Sequence, residues 1–436
     1  MKPLRLMKCL GAALLPLLIL ASCVKEPSDA PTLSLSSWGD LKEAAILGEL
    51  CRAFEAENPG VKVQLQRVPY GEYGSKIMSQ FTAGVAPDVL FIGSQQVVEY
   101  HPRGVLEPLD AYIARDRVDL KAFYPETLDL YAVGDVRYGL PRDIAPIACV
   151  FYNKDLFRAR GVPFPADDWN WDDLLSAAKK LTLKGPDGKV TCWGYTEDWL
   201  IAEGWFMSMG ADWVDDWKNP ARYTFQDPNF VKGLQFRADL MYKHRVTPDA
   251  VASTALAGGT TDLFVSGKSG MILSGYWKAP LFRGIRSFDW DVVMFPKGPT
   301  GKRGFVSGGS GYGICSKSRN KDMAWELVKF LTGEKGQTMF ARTGLAQPAL
   351  RKVAESKAFL DDQKPLNKKM LLKAVAYGRN TPFAMNWREV LESYISPTLD
   401  RVWSGQWTAQ KGIDELARKL KDKPLIPVGQ TAAPGK

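Results

Sequence analysis

The residues best suited to chemistry in this chain are tryptophans. There are 14 of them, and Trp38, Trp199, Trp205, Trp277 and Trp387 stand beside or within two residues of glycine, aspartate or asparagine rather than inside apolar runs. Tryptophan combines a large apolar ring with a polar N–H, so it suits surfaces that are half dry and half wet. With Asp, Asn, Gln, Arg or backbone groups alongside, such a surface answers both the C–H faces and the hydroxyl rim of a sugar ring. Tyr73 is a further aromatic candidate, with Tyr70 nearby, and Asp143 is a carboxylate that either accepts sugar hydroxyls or bridges to an arginine. Trp171, Trp213, Trp217 and Trp325 read instead as helix-packing residues.

Other chemistries have little material. The only histidines, His101 and His244, are far apart, which argues against a Ser/His/Asp triad or a histidine-based metal site. A glycosidase needs two carboxylates facing each other across the scissile bond, and no spacing singles out such a pair. The glycine-rich run Ser307 to Gly313 lacks the Gly-Lys-Ser/Thr ending of a nucleotide-hydrolysing loop. No cofactor and no metal are expected.

The elements that must position these residues alternate in period. Thr32 to Ser36 and Val61 to Val68 alternate like strands, and Pro87 to Ile92 reads as a short buried strand. Between them, Leu41 to Glu57 places Leu41, Ala44, Leu47, Leu50, Cys51 and Phe54 on one helical face, and a second helix is predicted over 72–82. This β-α-β-α-β order calls for a mostly parallel sheet with helices on both faces. Ligands of such sheets sit at the carboxyl ends of the strands. That rule nominates Ser37, Trp38, Gly39, Ser94 and Gln95.

The N-terminus carries a separate signal. A basic leader with Lys2, Arg5 and Lys8 precedes an apolar stretch ending Leu20-Ala21-Ser22-Cys23. This is the pattern of an export signal, and its small residues followed by cysteine resemble a bacterial lipobox with Cys23 as the lipidated residue. Residues 1–22 are then the signal peptide and 23–31 the lipid anchor and tether. The expected location is the periplasm or the outer face of the cell membrane. Net charge is +9, but three of the positive charges lie in the leader and the others are dispersed among acids, which argues against a nucleic-acid partner. Cys51, Cys149, Cys192 and Cys315 form no Cys-x-x-Cys pair and are expected as buried thiols.

Several blocks, in order, resemble the bacterial extracellular solute-binding proteins of the sugar type, relatives of the maltose-binding and glycerol-3-phosphate-binding proteins of ABC importers. They include Phe54 to Val63, Gly84 to Val89, Gly104 to Asp110, Tyr138 to Asp143, Phe151 to Phe157, Asp168 to Leu174, Phe264 to Met271, Gly275-Tyr276-Trp277, Trp290 to Pro299 and Ala324 to Leu331. The resemblance implies an α/β, periplasmic-binding-protein-like fold of two lobes joined by a multi-crossing hinge, with a ligand cleft between them. It places an N-terminal lobe at 32–140 plus 300–345, a C-terminal lobe at 146–295 plus 351–436, and crossings near 141–145, 296–299 and 346–350. It implies a monomeric receptor, not an enzyme, that binds a carbohydrate and delivers it to a membrane permease. Within the family pattern, the amides of Gly308 and Gly309 approach the ligand, and Arg379 sits where an arginine of glycerol-phosphate-binding relatives reaches it. Alternatives from other classes are a same-fold receptor for glycerol phosphate, polyamine or another small solute, and an exported glycan-active enzyme.

Overall fold

The computed structural model describes residues 32–39, 41–198, 201–249, 252 and 259–428. The expected signal peptide, the tether with Cys23, and Trp199 lie outside them.

The first lobe is built as its sequence periodicity requires. Strands Thr32–Ser37, Lys62–Arg67 and Val89–Ile92 are parallel, and Gly311–Ile314 joins antiparallel to the last of them. The sheet order is Lys62–Arg67, Thr32–Ser37, Val89–Ile92, Gly311–Ile314, Leu140–Pro141. Helix Leu41–Glu57 buries Leu47, Leu50, Cys51 and Phe54 on one face, at the spacing a 3.6-residue turn dictates. Leu41, expected on that face, is instead 77% exposed, because it opens the helix beyond the edge of the core. Helix Tyr70–Thr82 follows the second strand, and Ser94–Tyr100 follows the third.

The second lobe centres on Cys149–Asn153, flanked on both sides by the antiparallel strands Met271–Ser274 and Trp290–Met294. All five residues of Cys149–Asn153 and of Trp290–Met294 are buried, mostly apolar but including the polar Asn153 and Asp291. A helical layer completes this lobe. Pro228–Tyr242, Ser396–Trp403 and Ala409–Leu420 close around Phe206, Trp213, Phe230, Trp387 and Trp403.

A third sheet joins the lobes. Asp143–Pro146 pairs with Gln347–Pro348 on one side and Phe305–Gly308 on the other, and Phe305–Gly308 pairs in turn with Gly378–Arg379. The chain therefore passes between lobes near 143–146, 305–308 and 347–348. Residues 296–299, expected as a crossing, do not cross. Lys297 N donates to Trp169 O at 3.0 Å, and a Cβ on Gly298 would stand 2.3 Å from Ser208 O, so this segment is a turn packed on the second lobe. Pro296 ends the preceding strand rather than marking a hinge.

Among the described residues, no helix is long and apolar enough to cross a membrane, and no cluster of His, Cys, Asp and Glu is disposed to hold a metal ion. Cys51, Cys149, Cys192 and Cys315 are all buried and free, and burial pushes the Cys192 thiol up to about 11 and that of Cys51 to about 12.

Candidate functional site in the interlobe cleft

The first lobe presents its wall where strands end and helices begin. Trp38, the first residue after strand Thr32–Ser37, is half-buried. Its ring meets Phe91 at 4.3 Å, Tyr73 at 5.0 Å and Tyr70 at 5.6 Å between centroids. Gly39 follows at φ +122°, and a Cβ there would lie 2.2 Å from Glu43 Oε2, so only glycine lets the helix start fold back against the loop. The third strand ends at Gly93, whose N–H donates to Gln96 Oε1 at 3.0 Å. This turn sets Ser94 in the wall and exposes Gln95.

The second lobe answers from two places. Trp277, on the turn after Met271–Ser274, is half-buried and packs across the cleft against the first lobe's core. A Cβ on Gly275 would fall 2.0 Å from the Trp277 ring, so the glycine is what lets the indole fold over its own strand end. The loop and helices after Gly378–Arg379 supply the other contribution. They enclose, with the first lobe, a cavity of about 580 Å³ lined by Tyr70, Gln95, Gln96, Glu99 and Arg103 on one side and Thr381, Pro382, Trp387, Arg388 and Glu392 on the other. That volume lies within the usual range for small-ligand sites.

The lobes touch around this cavity. Ser94 Oγ donates to Asn380 Oδ1 at 3.3 Å, and Lys42 Nζ donates to Pro280 O at 3.1 Å. Arg388 pairs with Glu99 across the gap at 3.3 Å and with Glu392 on its own helix at 2.9 Å. Lys218 pairs with Asp129. Of the three carboxylates lining the cavity, Glu99, Glu389 and Glu392, Arg388 thus engages the first and the last.

Four sequence candidates have different roles. Tyr73 is fully buried, bonds Ser36 Oγ through its hydroxyl at 2.6 Å, and props the Trp38 ring from behind; burial pushes its phenol well above the ordinary value. Asp143 is 1% exposed. It accepts from Arg142 Nε at 2.6 Å and from Ser310 N at 2.9 Å, while the Arg142 guanidinium lies over the rings of Phe91 and Phe340 at 4.4 and 4.3 Å. This carboxylate therefore ties the hinge to the first lobe instead of meeting a ligand. Trp205 is completely buried and donates to Glu197 Oε1 at 2.9 Å, where Glu197 also takes Arg237 at 2.8 Å. Arg379 is exposed and lines a different pocket, beside Asp212.

The other candidates collect at the cleft. Gly308 faces open space, whereas a Cβ on Gly309 would lie 2.4 Å from Asp143 O; the Gly309 carbonyl faces the Gly93 turn. Trp387 borders the cavity but is only 4% exposed, its ring held against Trp213 at 6.1 Å. Sequence reasoning missed Gln96, Glu99, Asn380, Thr381 and Arg388. Two of these carried a signal: Glu99 lies four residues after Gln95 on one short helix, and Arg388 precedes Glu392 by four.

Two α/β lobes joined by three strand passages, with an aromatic-edged cavity between them, define the class. The chain belongs to the bacterial extracellular solute-binding protein family, whose pattern matches residues 38–338. It is 24% identical over 413 residues to the galactooligosaccharide-binding protein of Bacillus subtilis, covering 93% of this chain and 94% of that one. It is 26% identical to the maltooligosaccharide ABC transporter solute-binding lipoprotein of Streptococcus pneumoniae, over 80% of this chain and 82% of its relative. Among solved structures, it resembles the maltose-bound MalE3 of T. maritima (TM-score 0.76, 25% identity, 90% of this chain and 99% of that one). It also resembles a Listeria monocytogenes ABC substrate-binding protein in complex with cycloalternan (TM-score 0.79, 23% identity, 89% and 99% coverage).

Proposed function

We propose that this protein is the extracytoplasmic receptor of an ABC importer and that it binds a sugar or oligosaccharide between its lobes. The observation that carries this reading is the cavity of about 580 Å³ walled by both lobes and lined by aromatic, amide and paired charged groups. The Trp38 ring offers a face for sugar C–H bonds, and Trp277 stands across from that wall. Gln95, Gln96 and Thr381 offer hydroxyl partners that are both donor and acceptor. The similarity to oligosaccharide-binding relatives supports the same ligand class.

The protein binds without transforming. Hydrolysis of a glycosidic bond requires one free carboxylic acid and one free carboxylate; Arg388 holds Glu99 and Glu392, which leaves Glu389 as the one carboxylate of the lining without an ion pair among the described residues. Cys23 carries the lipid anchor, the body works as a monomer outside the cytoplasmic membrane, and a transmembrane permease takes the ligand from it.

Isothermal titration calorimetry against mono- and oligosaccharides, polyols, glycerol phosphates and polyamines tests this. Saturable binding of one saccharide class, with the sugar recovered unchanged, is the expected result. Turnover of the sugar, or binding confined to polyamines, overturns it.

A further inference from the structure

We propose that the pocket beside Asp212 in the second lobe is a separate binding site for a tetrahedral oxyanion of the phosphate or sulfate type. The pocket has a volume of about 490 Å³, and its charged lining is Lys297, Lys302, Arg303 and Arg379 with Asp212 as the one carboxylate. Every residue lining it belongs to the second lobe or its side of the hinge sheet, so it does not depend on how the lobes meet.

Three features make this more than a patch of surface lysines. Lys302 is seated: Gly210 has φ +84°, and a Cβ there would fall 2.7 Å from both Cδ and Nζ of Lys302, so the glycine admits the lysine stem. Arg303 is fixed by donating from Nη2 to Asp167 O at 2.6 Å and from Nη1 to Met294 Sδ at 3.4 Å. Asp167 gives its carboxylate to Lys373 instead, at 2.9 Å. Finally, Lys297, Lys302, Arg303 and Arg379 make no ion pair within 4.0 Å among the described residues. Burial also pushes the Asp212 carboxyl up to about 6, which weakens its claim on the surrounding cations below that pH.

Arginine forks and lysine point charges together match the several acceptor oxygens of a tetrahedral anion. The site is distinct from the interlobe cavity. No residue lines both, and Asn380, buried and bonded to Ser94, stands between Arg379 on one side and Thr381 on the other.

The test is titration of the full chain at low ionic strength with inorganic phosphate and, separately, inorganic sulfate, using wild type, Arg379→Gln and Lys302→Gln. Saturable binding is expected at one site, weakened about tenfold or more in each variant because a charge-assisted bond is lost, with saccharide binding in both variants equal to wild type. The proposal is overturned if neither anion binds, if both variants bind like wild type, or if a cleft-bound saccharide displaces the anion.

Discussion

The interlobe cavity and the second-lobe pocket are of similar size and opposite electrostatic character. In the cavity, both signs of charge line the wall, Arg103 and Arg388 with Glu99, Glu389 and Glu392, and Arg388 is set between Glu99 and Glu392. In the pocket, four cations share one carboxylate, Asp212. A neutral polyhydroxyl ligand gains from hydrogen-bonding groups whose net field is small, because uncompensated buried charge must otherwise be desolvated. An anion gains only where the field is unbalanced. Two cavities on one fold thus differ in what they recognise through the pairing of their charges more than through shape.

The largest effect that sharpens this contrast belongs to neither cavity. Trp205→Ala removes a fully buried ring from the second-lobe core and leaves Glu197 Oε1 without that donor. It should destabilise the protein by about 3–5 kcal/mol, read as a loss of melting temperature whether or not sugar is present. Trp38→Ala and Trp277→Ala should leave the melting temperature of the unliganded protein much closer to wild type. They should weaken saccharide affinity about 10- to 100-fold, the effect of losing an aromatic anchor, while phosphate binding stays unchanged; an equal loss of both would break the separation of the two sites.

Asp212→Asn comes next. Its folded-state carboxyl is raised to about 6 from an ordinary value of 3.8, by burial first. Between those values the folded protein binds the proton more tightly than the unfolded chain does, so stability falls as pH rises from about 4 to 6. Asn at this position should flatten that slope and stabilise the protein at neutral pH by on the order of 1–3 kcal/mol, measured by denaturant unfolding across pH. Sugar affinity should show no matching change.

The smallest effect is at the mouth of the cavity. Arg388 is largely exposed, and its side chain forms two surface ion pairs. Arg388→Gln should change saccharide affinity by no more than about 1 kcal/mol, with most of the difference gone at high salt in a calorimetric titration.

Much of the fold was legible because its elements follow local periodicity. Leu41–Glu57 and the strands around it fall where spacing places them. The rule for strand ends nominates Ser37, Trp38, Gly39, Ser94 and Gln95; Gln95 lines the cavity, and Ser37 is buried at the end of its strand. What the sequence hid was depth and direction. Trp205 and Trp38 have similar polar neighbours in the chain, yet one is sealed beneath Phe236 and Phe295 and the other stays half-buried at a strand end, against Phe91. Asp143 offers a carboxylate of the right type, but its neighbour Arg142 claims it. The passage at 305–308 was missed for a related reason: Pro296 and Gly298 signal a turn, and only tertiary pairing with Asp143–Pro146 shows where the chain changes lobe.

The bonds that tie lobe to lobe, Ser94 to Asn380 in the wall of the cleft and Lys42 to Pro280 outside the lining of the cavity, bear on time as well as on shape. A ligand enclosed behind them leaves only after they part, so they act in series with its own contacts in setting how long it stays. Dwell time is then adjustable at Lys42, which lies outside the lining of the cavity. A partner that grips both rims and pulls them apart can hasten unloading while leaving every ligand contact chemically unaltered.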